Sequence, residues 1–532
     1  MEQGKLVKEL LNRFNKLKGD RTIVDTTWQT IADYCLPYSA EITRKSGVGY
    51  NTSDRNRIFD GTASKAVEYL ASELHGGLTN PMISWFSLKL PRQLPQDQNT
   101  SVFLEQARTV MLDLFNSSSS CFPSQNHEFI LSLVAYGTAC MFVEDTIDKG
   151  IKFATIHVSE IFIAEDSYGM IDSVFREFQY TARQLYQRFG DANHKRVIEE
   201  AEKAPDTKHK ILHVVLPKSD SLKPDKKFHK FVSFYIDLDN GHLISKGGFI
   251  EFPYIIARFS KLSGEVYGRS PAWQVMSEIK MVNRIRETII KAAQLQATPP
   301  LLVADDGVMM PLRAVPNGLI MGGISYDGFQ RVQPLNVGGN LGIGIEMIRD
   351  AQKAIRDAFF VDQLVFRDGP TMTATEVVQR QQESLRLLAP HLGRLATEYL
   401  TPLIEKVFSM LARGGKLGPV ERLPQAVVQA GYEVEFLGPL SLLQKASKIQ
   451  QFQQFLGYLG PIAQVSPTAL QNIDFDQATR LIAQDLGIWP SILRDPEAIA
   501  QERQQQEQLA ALQQGMGGLQ QMAEINKLME PK

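Results

Sequence analysis

Two amphipathic helical patterns of similar length bracket a Pro/Gly-rich insertion, and that arrangement limits the possible folds more than any other feature. Residues 271–297 open with Pro271, a residue favoured in a first helical turn. They carry Trp273, Met276, Ile279, Val282, Ile285, Ile289 and Ala293 as one continuous stripe. Pro299-Pro300 closes the pattern. Residues 298–340 are rich in Pro and Gly, with strand-like fragments PLLVA, GLIMGG and RVQPL. A second pattern, 341–361, turns Ile345, Ile348, Ala351, Ile355 and Ala358 inward. Glu346, Arg349, Asp350, Lys353, Arg356 and Asp357 then face outward. Two helices sharing an apolar face would lie antiparallel, with the insertion projecting from their far end.

The remainder of the 532-residue chain is longer than one core needs, so several sub-domains are expected. At the N-terminus, Leu6, Leu10, Phe14 and Leu17 predict one helix. Trp28, Ile31, Ala32 and Leu36 predict a second, stopped by Pro37. Thr62–Leu74 predicts a helix broken by Gly76-Gly77, followed by a turn and an extended strand over 79–91. Residues 101–116 and 124–137 read as helices. From about 139 to 260 short alternating runs indicate strands, with a hairpin at Asp239-Asn240-Gly241 and a helical interruption at 181–204. After a Gly-Pro loop at 363–375, a helix runs through the 380s and 390s, kinked or split by Pro390 and Pro402. A short strand at 432–438 and helices at 440–459 and 475–487 come next. The Gln-rich tail keeps Leu509, Leu512, Met516, Leu519, Met522, Ile525 and Leu528 at helical spacing, a pattern suited to self-association. The fold class is α+β, mainly helical.

Composition excludes several functions. The formal net charge is -2, from 57 basic and 59 acidic residues, which does not suit a protein that coats nucleic acid by bulk charge. It leaves open a protein that merely surrounds DNA, which should avoid sticking to it. Three separated cysteines (Cys35, Cys121, Cys140) suggest no disulfide framework and fit a reducing cytosol. No secretory leader and no membrane-spanning run are expected. There is no GxxxxGK[ST] phosphate loop, and GGNLGIG (338–344) lacks the GxGxxG order. No GxSxG elbow occurs, and His157, His213 and His229 lack zinc-like spacing. Neither catalytic residues, a metal nor a cofactor is expected. Lys280, Arg284 and Lys291 share one face of the first helix, and Arg349, Lys353 and Arg356 one face of the second. These cations serve one of two roles: facing DNA phosphates, or pairing with Glu278, Glu287, Glu346, Asp350 and Asp357.

Several segments resemble the head-to-tail connecting (portal) proteins of short-tailed phages. They are WQTIADYCLP (28–37), RIFDGTASKAVEYLASELHGGLTNPMISWFSLKL (57–90) and VAYGTACMFVED (134–145), then YGRSPAWQVMSEIKMVNRI (267–285), QATPPLLV (296–303) and FRDGPTMTATEVVQRQQE (366–383). Their order and spacing, spread over about residues 20–460, carry the likeness. The resemblance implies a ring, usually of twelve subunits, at one capsid vertex of the virion, assembled in the host cytoplasm. It would be a conduit for double-stranded DNA during packaging and ejection, with no membrane involved. The implied partners are the terminase large subunit, tail adaptor and tail proteins, and major capsid and scaffolding proteins.

Applied to this chain, the likeness implies a wing at 1–265, a first stem helix at 266–297, a clip at 298–340 and a second stem helix at 341–362. A tunnel loop at 363–375, a long kinked helix and wing strand at 376–439, a helical crown at 440–495 and a C-terminal tail at 496–532 would follow. Phe366, Arg367 and Asp368 at the loop tip would form either a DNA-proximal constriction or a subunit-packing contact. Met309, Met310 and Leu312 would be clip docking residues or contacts to a neighbouring clip. The competing expectations are an internal scaffold or ejection protein, which would read as nearly all helix, and a nuclease, which would cluster Asp, Glu and Lys near one strand end.

Overall fold

The computed structural model describes residues 2–37, 42–43, 58–91, 98–146, 150–219, 229–303, 324, 332–334, 341–361, 387–418, 424, 427, 431–437, 451–459, 475, 478–479 and 482–483. Its strands are β1 (Phe86–Lys89), β2 (Thr138–Thr146), β3 (Gly150–Ile156), β4 (Ile161–Glu165), β5 (Ile171–Thr181) and β6 (Lys208–Pro217). They continue with β7 (Phe231–Asp237), β8 (His242–Phe249), β9 (Tyr254–Arg258), β10 (Leu301–Val303), β11 (Val332–Pro334) and β12 (Glu433–Phe436). The chain divides into two compact units, residues 1–79 with 117–406, and residues 80–116 with 407–532. The mixed helix and sheet content agrees with the α+β expectation.

Within the first unit, β4-β5-β6-β7-β8 form an antiparallel five-stranded meander, and β3-β2-β9 a three-stranded sheet. Successive side chains of a strand point to opposite faces, and here both faces are apolar. Phe162, Phe175, Leu212, Val214 and Phe234 point one way and pack on Val7, Leu10 and Phe14 of the N-terminal helix. Their neighbours Ile161, Ile163, Val174 and Val215 point the other way, onto Cys140, Phe142, Ile156 and Ile256 of the smaller sheet. Helix, large sheet and small sheet therefore stack as three layers. Each fully buried Phe or Leu contributes roughly 1.5–3 kcal/mol. The β7–β8 hairpin is closed by Asp237, whose Oδ1 accepts the backbone N–H groups of Asp239 and Asn240, while Gly241 takes φ +63°.

The N-terminal helix corrects an expectation, because Glu2–Cys35 is one element and not two. Buried positions recur every seven residues at Val7, Phe14, Arg21, Trp28 and Cys35, giving a continuous inward face. The polar Arg21 is accommodated because its guanidinium donates to the carbonyls of Val158, Ser159 and Ile161 and lies 3.7 Å from the Phe162 ring. Further on, the Trp28 indole N–H donates to the Tyr136 carbonyl at 2.8 Å. Likewise Gly76-Gly77 does not break the helix, which runs Thr62–Leu78. Tertiary contacts override the glycine penalty of roughly 1 kcal/mol each. Buried Leu70 and Leu74 precede the pair, and Asn126 bonds both His75 (3.1 Å) and Thr79 (2.5 Å) around it.

Residues 387–395 are helical straight through Pro390. A π-turn, Ala396–Leu400, then precedes the helix Thr401–Arg413, so the distortion falls just before Pro402. In that turn Glu398 accepts the backbone N–H, Nε and Nη2 of Arg258 at 2.8–3.1 Å. Arg258 and Glu398 are both buried. In the second unit, β1 and β12 pair antiparallel, Phe86 opposite Phe436, and Trp85 and Phe86 pack on Phe115 of the helix Gln98–Asn116.

Candidate functional site

The first of the bracketing helices is interrupted near its start. Pro271–Gln274 forms a short turn capped by the Ser270 hydroxyl, Val275 leaves helical geometry, and Met276–Ala297 follows. The second runs Leu341–Ala358 and ends before Phe360, which adopts φ +57°. The helices lie side by side. A Cβ on Gly344 would stand 2.9 Å from Ile289 Cδ1, while nearer the other end Arg286 and Gln352 share one carboxylate. Residue numbers rise along one helix as they fall along the other, so the pair is antiparallel. Beyond Ala297, β10 pairs antiparallel with β11, Leu301 opposite Pro334, tying together the base of the insertion.

The shared carboxylate belongs to Asp60, which is 3% exposed. Its Oδ2 accepts Arg286 Nη1 at 2.6 Å and Gln352 Nε2 at 2.7 Å, and its Oδ1 accepts the Thr62 N–H at 2.9 Å. Desolvation alone would raise its pKa, but the bonds from Thr62, Gln352 and Arg286 outweigh it and hold the carboxyl below its usual value. Asn283 completes the root. Its Oδ1 accepts the backbone N–H groups of Phe59 and Asp60, and its Nδ2 donates to the Ile279 carbonyl. Segment 58–62 thus fastens both helices. Neither Asp60 nor Asn283 stood out from apolar spacing, although an Asn between Val282 and Ile285 on an otherwise apolar face was a readable signal.

Burial along the pair fades toward the ribbon. Ile279, Val282, Ala351 and Ile355 are buried near the root, Ile285, Ile289 and Ile348 are half-buried, and Ala293 is exposed. At the distal half, Ile290, Leu295, Ile343, Ile345 and Met347 are between 39% and 59% exposed. Within one chain, these five side chains are uncovered.

Lys280, Arg284, Lys291, Arg349 and Lys353 are exposed, and Arg356 is half-buried. Lys291 pairs with Glu287 one turn earlier at 2.6 Å. Lys280, Arg284, Arg349 and Lys353 form no ion pair among the described residues. Phe366, Arg367 and Asp368, and likewise Met309, Met310 and Leu312, lie outside the described residues, as do most of the expected crown and tail.

The histidines have separate explanations. His209 and His213 stand four apart on β6, an HxxxH spacing that His157, His213 and His229 do not form among themselves. Strand geometry sets such positions roughly 13 Å apart, and their partners differ. Buried His213 bonds the Tyr254 hydroxyl at 2.6 Å and Ser233 Oγ at 2.9 Å. His209 sits 2.7 Å from Glu200 and close to Asp237 and Asp239. The oxygens of Asp237 take the Asp239, Asn240 and Asn240 side-chain donors, and Asp239 takes the Lys210 N–H, so hairpin closure accounts for both carboxylates. No helix among the described residues is long and apolar enough to cross a membrane.

The family described as "Bacteriophage head to tail connecting protein" matches residues 7–493. A "Probable portal protein" of Bordetella phage BPP-1 is 27% identical, covering 96% of this chain and 94% of that protein. The "Portal protein" of Salmonella phage epsilon15 is also 27% identical, covering 94% and 92%. A "Portal protein" of Escherichia phage T7 is 21% identical, covering 75% and 73%.

Proposed function

Because this chain belongs to the bacteriophage head-to-tail connecting protein family, we propose that copies of it assemble into a ring at one capsid vertex and conduct double-stranded DNA in and out. It is a structural connector between head and tail, not an enzyme. One observation supports the ring in particular. The antiparallel helices Met276–Ala297 and Leu341–Ala358 are fastened at Asp60, yet expose Ile290, Leu295, Ile343, Ile345 and Met347 distally. Large apolar side chains left exposed on both helices of a monomer suit burial against an identical neighbour.

In this reading residues 1–265 are the wing, 266–297 and 341–362 the stem, 298–340 the clip and 363–375 the tunnel loop. Residues 376–439 are the long kinked helix and wing strand, 440–495 the crown and 496–532 the tail. The ring has twelve subunits and is built in the host cytoplasm with major capsid and scaffolding proteins. Its clip, with Met309, Met310 and Leu312, meets the terminase large subunit and later the tail adaptor. Near-balanced charge over the chain suits a conduit, since tight phosphate binding would stall moving DNA. Lys280, Arg284, Lys291, Arg349, Lys353 and Arg356 are the stem's DNA-facing cations, and Phe366, Arg367 and Asp368 narrow the channel.

Negative-stain imaging of the purified full chain tests the reading. Uniform rings with a central hole are expected, and monomers or elongated rods would overturn it. Shortening the loop tip around Arg367 is expected to alter DNA retention while rings still form. Loss of assembly would make that loop a packing element instead.

A further inference from the structure

Between the two sheets of the first unit lies a cavity of about 280 Å³, lined from β2, β3, β5, β6, β7 and the helix Ala182–Phe189. The connector role uses none of it. Its walls are aromatic, from Phe142, Phe178 and Tyr235. Its floor is His213, buried and stacked on Tyr235 with centroids 4.1 Å apart, both ring nitrogens already bonded to Tyr254 and Ser233. The floor therefore has no donor or acceptor left for a ligand. The charges stand around it.

Three cations line the space, Lys152, Arg176 and Arg188, against one carboxylate, Glu144. Arg176 commits Nε to Glu160 at 2.9 Å, and its guanidinium carbon stands over the Phe178 ring, 4.5 Å from the centroid. Arg176 also bonds the Tyr254 hydroxyl, and its terminal nitrogens meet no carboxylate among the described residues. Arg188 holds only long contacts, 3.2 and 3.4 Å to Glu144, 3.4 Å to the Tyr235 hydroxyl and 3.5 Å to the Tyr180 hydroxyl. All but the shortest exceed the usual length of such bonds and are weak. Lys152 has no ion-pair partner among the described residues. With Glu160 included, three cations face two carboxylates.

We propose that this cavity is a binding site for a small planar anion of the aryl-carboxylate class. The volume is near the lower end for small-ligand pockets and suits one aromatic ring with a short acidic group. The ring would lie between the aromatic walls, where offset or edge-on contact is favoured. The carboxylate would accept paired N–H groups from a guanidinium fork, stronger than the long contacts Arg188 now makes. Raised pKa values at Arg176 and Arg188, where desolvation is outweighed by neighbouring tyrosines and glutamates, keep both forks charged.

Calorimetric titration of the full chain with benzoate, benzyl alcohol and inorganic phosphate tests this. Benzoate is expected to bind at least tenfold more tightly than either other probe. Ala154→Trp is the companion variant. Ala154 lines the cavity yet is exposed on β3, at the edge of its sheet, so the indole would plug the space without disturbing the core. Benzoate affinity should fall at least tenfold in Ala154→Trp, with far-UV circular dichroism unchanged, and also in Arg176→Met. Equal binding of phosphate would remove the role of the aromatic walls, and equal binding of benzyl alcohol that of the cations. Absence of benzoate binding, or binding that Ala154→Trp leaves intact, would overturn the site.

Discussion

Replacing Asp60 with Ala should loosen the helix pair from its root, by an amount the geometry allows to be worked out. Three donors lose their acceptor: the Thr62 N–H, Gln352 Nε2 and Arg286 Nη1. A hydrogen bond to a charged partner contributes about 1.5–3 kcal/mol. The Thr62 and Gln352 bonds are part-buried and are assigned the lower end of that range. The Arg286 side chain is 46% exposed, so its ion pair is screened and adds less than about 1 kcal/mol. The total is about 3 kcal/mol, or on the order of a hundredfold in a local opening equilibrium. Hydrogen exchange read along 276–297 and 341–358 should therefore quicken about a hundredfold for Asp60→Ala, but only a few-fold for Arg286→Ala. The Asp60 contribution should also follow pH. Its folded pKa is depressed, so the stabilisation is complete above the unfolded value near 4 and is lost as pH falls through the lower folded value. Threefold or smaller acceleration in Asp60→Ala, or equal effects of the two substitutions, would refute the rooting argument.

Other consequences follow from the first unit. Glu398→Leu leaves the buried Arg258 without its main partner and should cost about 3–5 kcal/mol in chemical denaturation. Adding Arg258→Met should recover much of that loss, and an additive double variant would contradict the pairing. Gly137→Ala should give little soluble protein, because φ is +81° and the new Cβ would stand 2.5–2.6 Å from the backbone of residues 268–270; wild-type yield and stability would exclude the close approach. Burial lowers the pKa of His213 well below 6.5 and that of His157 to about 4, so the unfolded chain binds protons that the folded one does not. Stability should therefore decline from about pH 6.5 downward, by at most ~1.4 kcal/mol per pH unit for each such group. A denaturation midpoint unchanged between pH 7.5 and 5.5 would contradict that.

Periodicity exposed the elements whose local preference agrees with their packing. The Asp239-Asn240-Gly241 hairpin and the helix–insertion–helix order follow from turn chemistry and the 3.6-residue period. It failed where distant contacts decide. Arg21 looks like a solvent-facing cation between two helices, yet carbonyls about 140 residues away let it lie buried inside one. Gly76-Gly77 looks like a stop, but Asn126 holds the turn around it. The cations of the helix pair were legible as faces, whereas Asp60 was not, because its partners lie more than 220 residues away in sequence.

The connector reading is tested most directly by a reconstruction from electron cryomicroscopy of the full chain assembled with double-stranded DNA. It should show a closed ring with helices 276–297 and 341–358 around a central channel, their exposed apolar residues buried against the neighbouring copy and one row of cations toward the DNA. A ring whose helix pair points away from the axis, with Ile343, Ile345 and Met347 still in solvent, would contradict it.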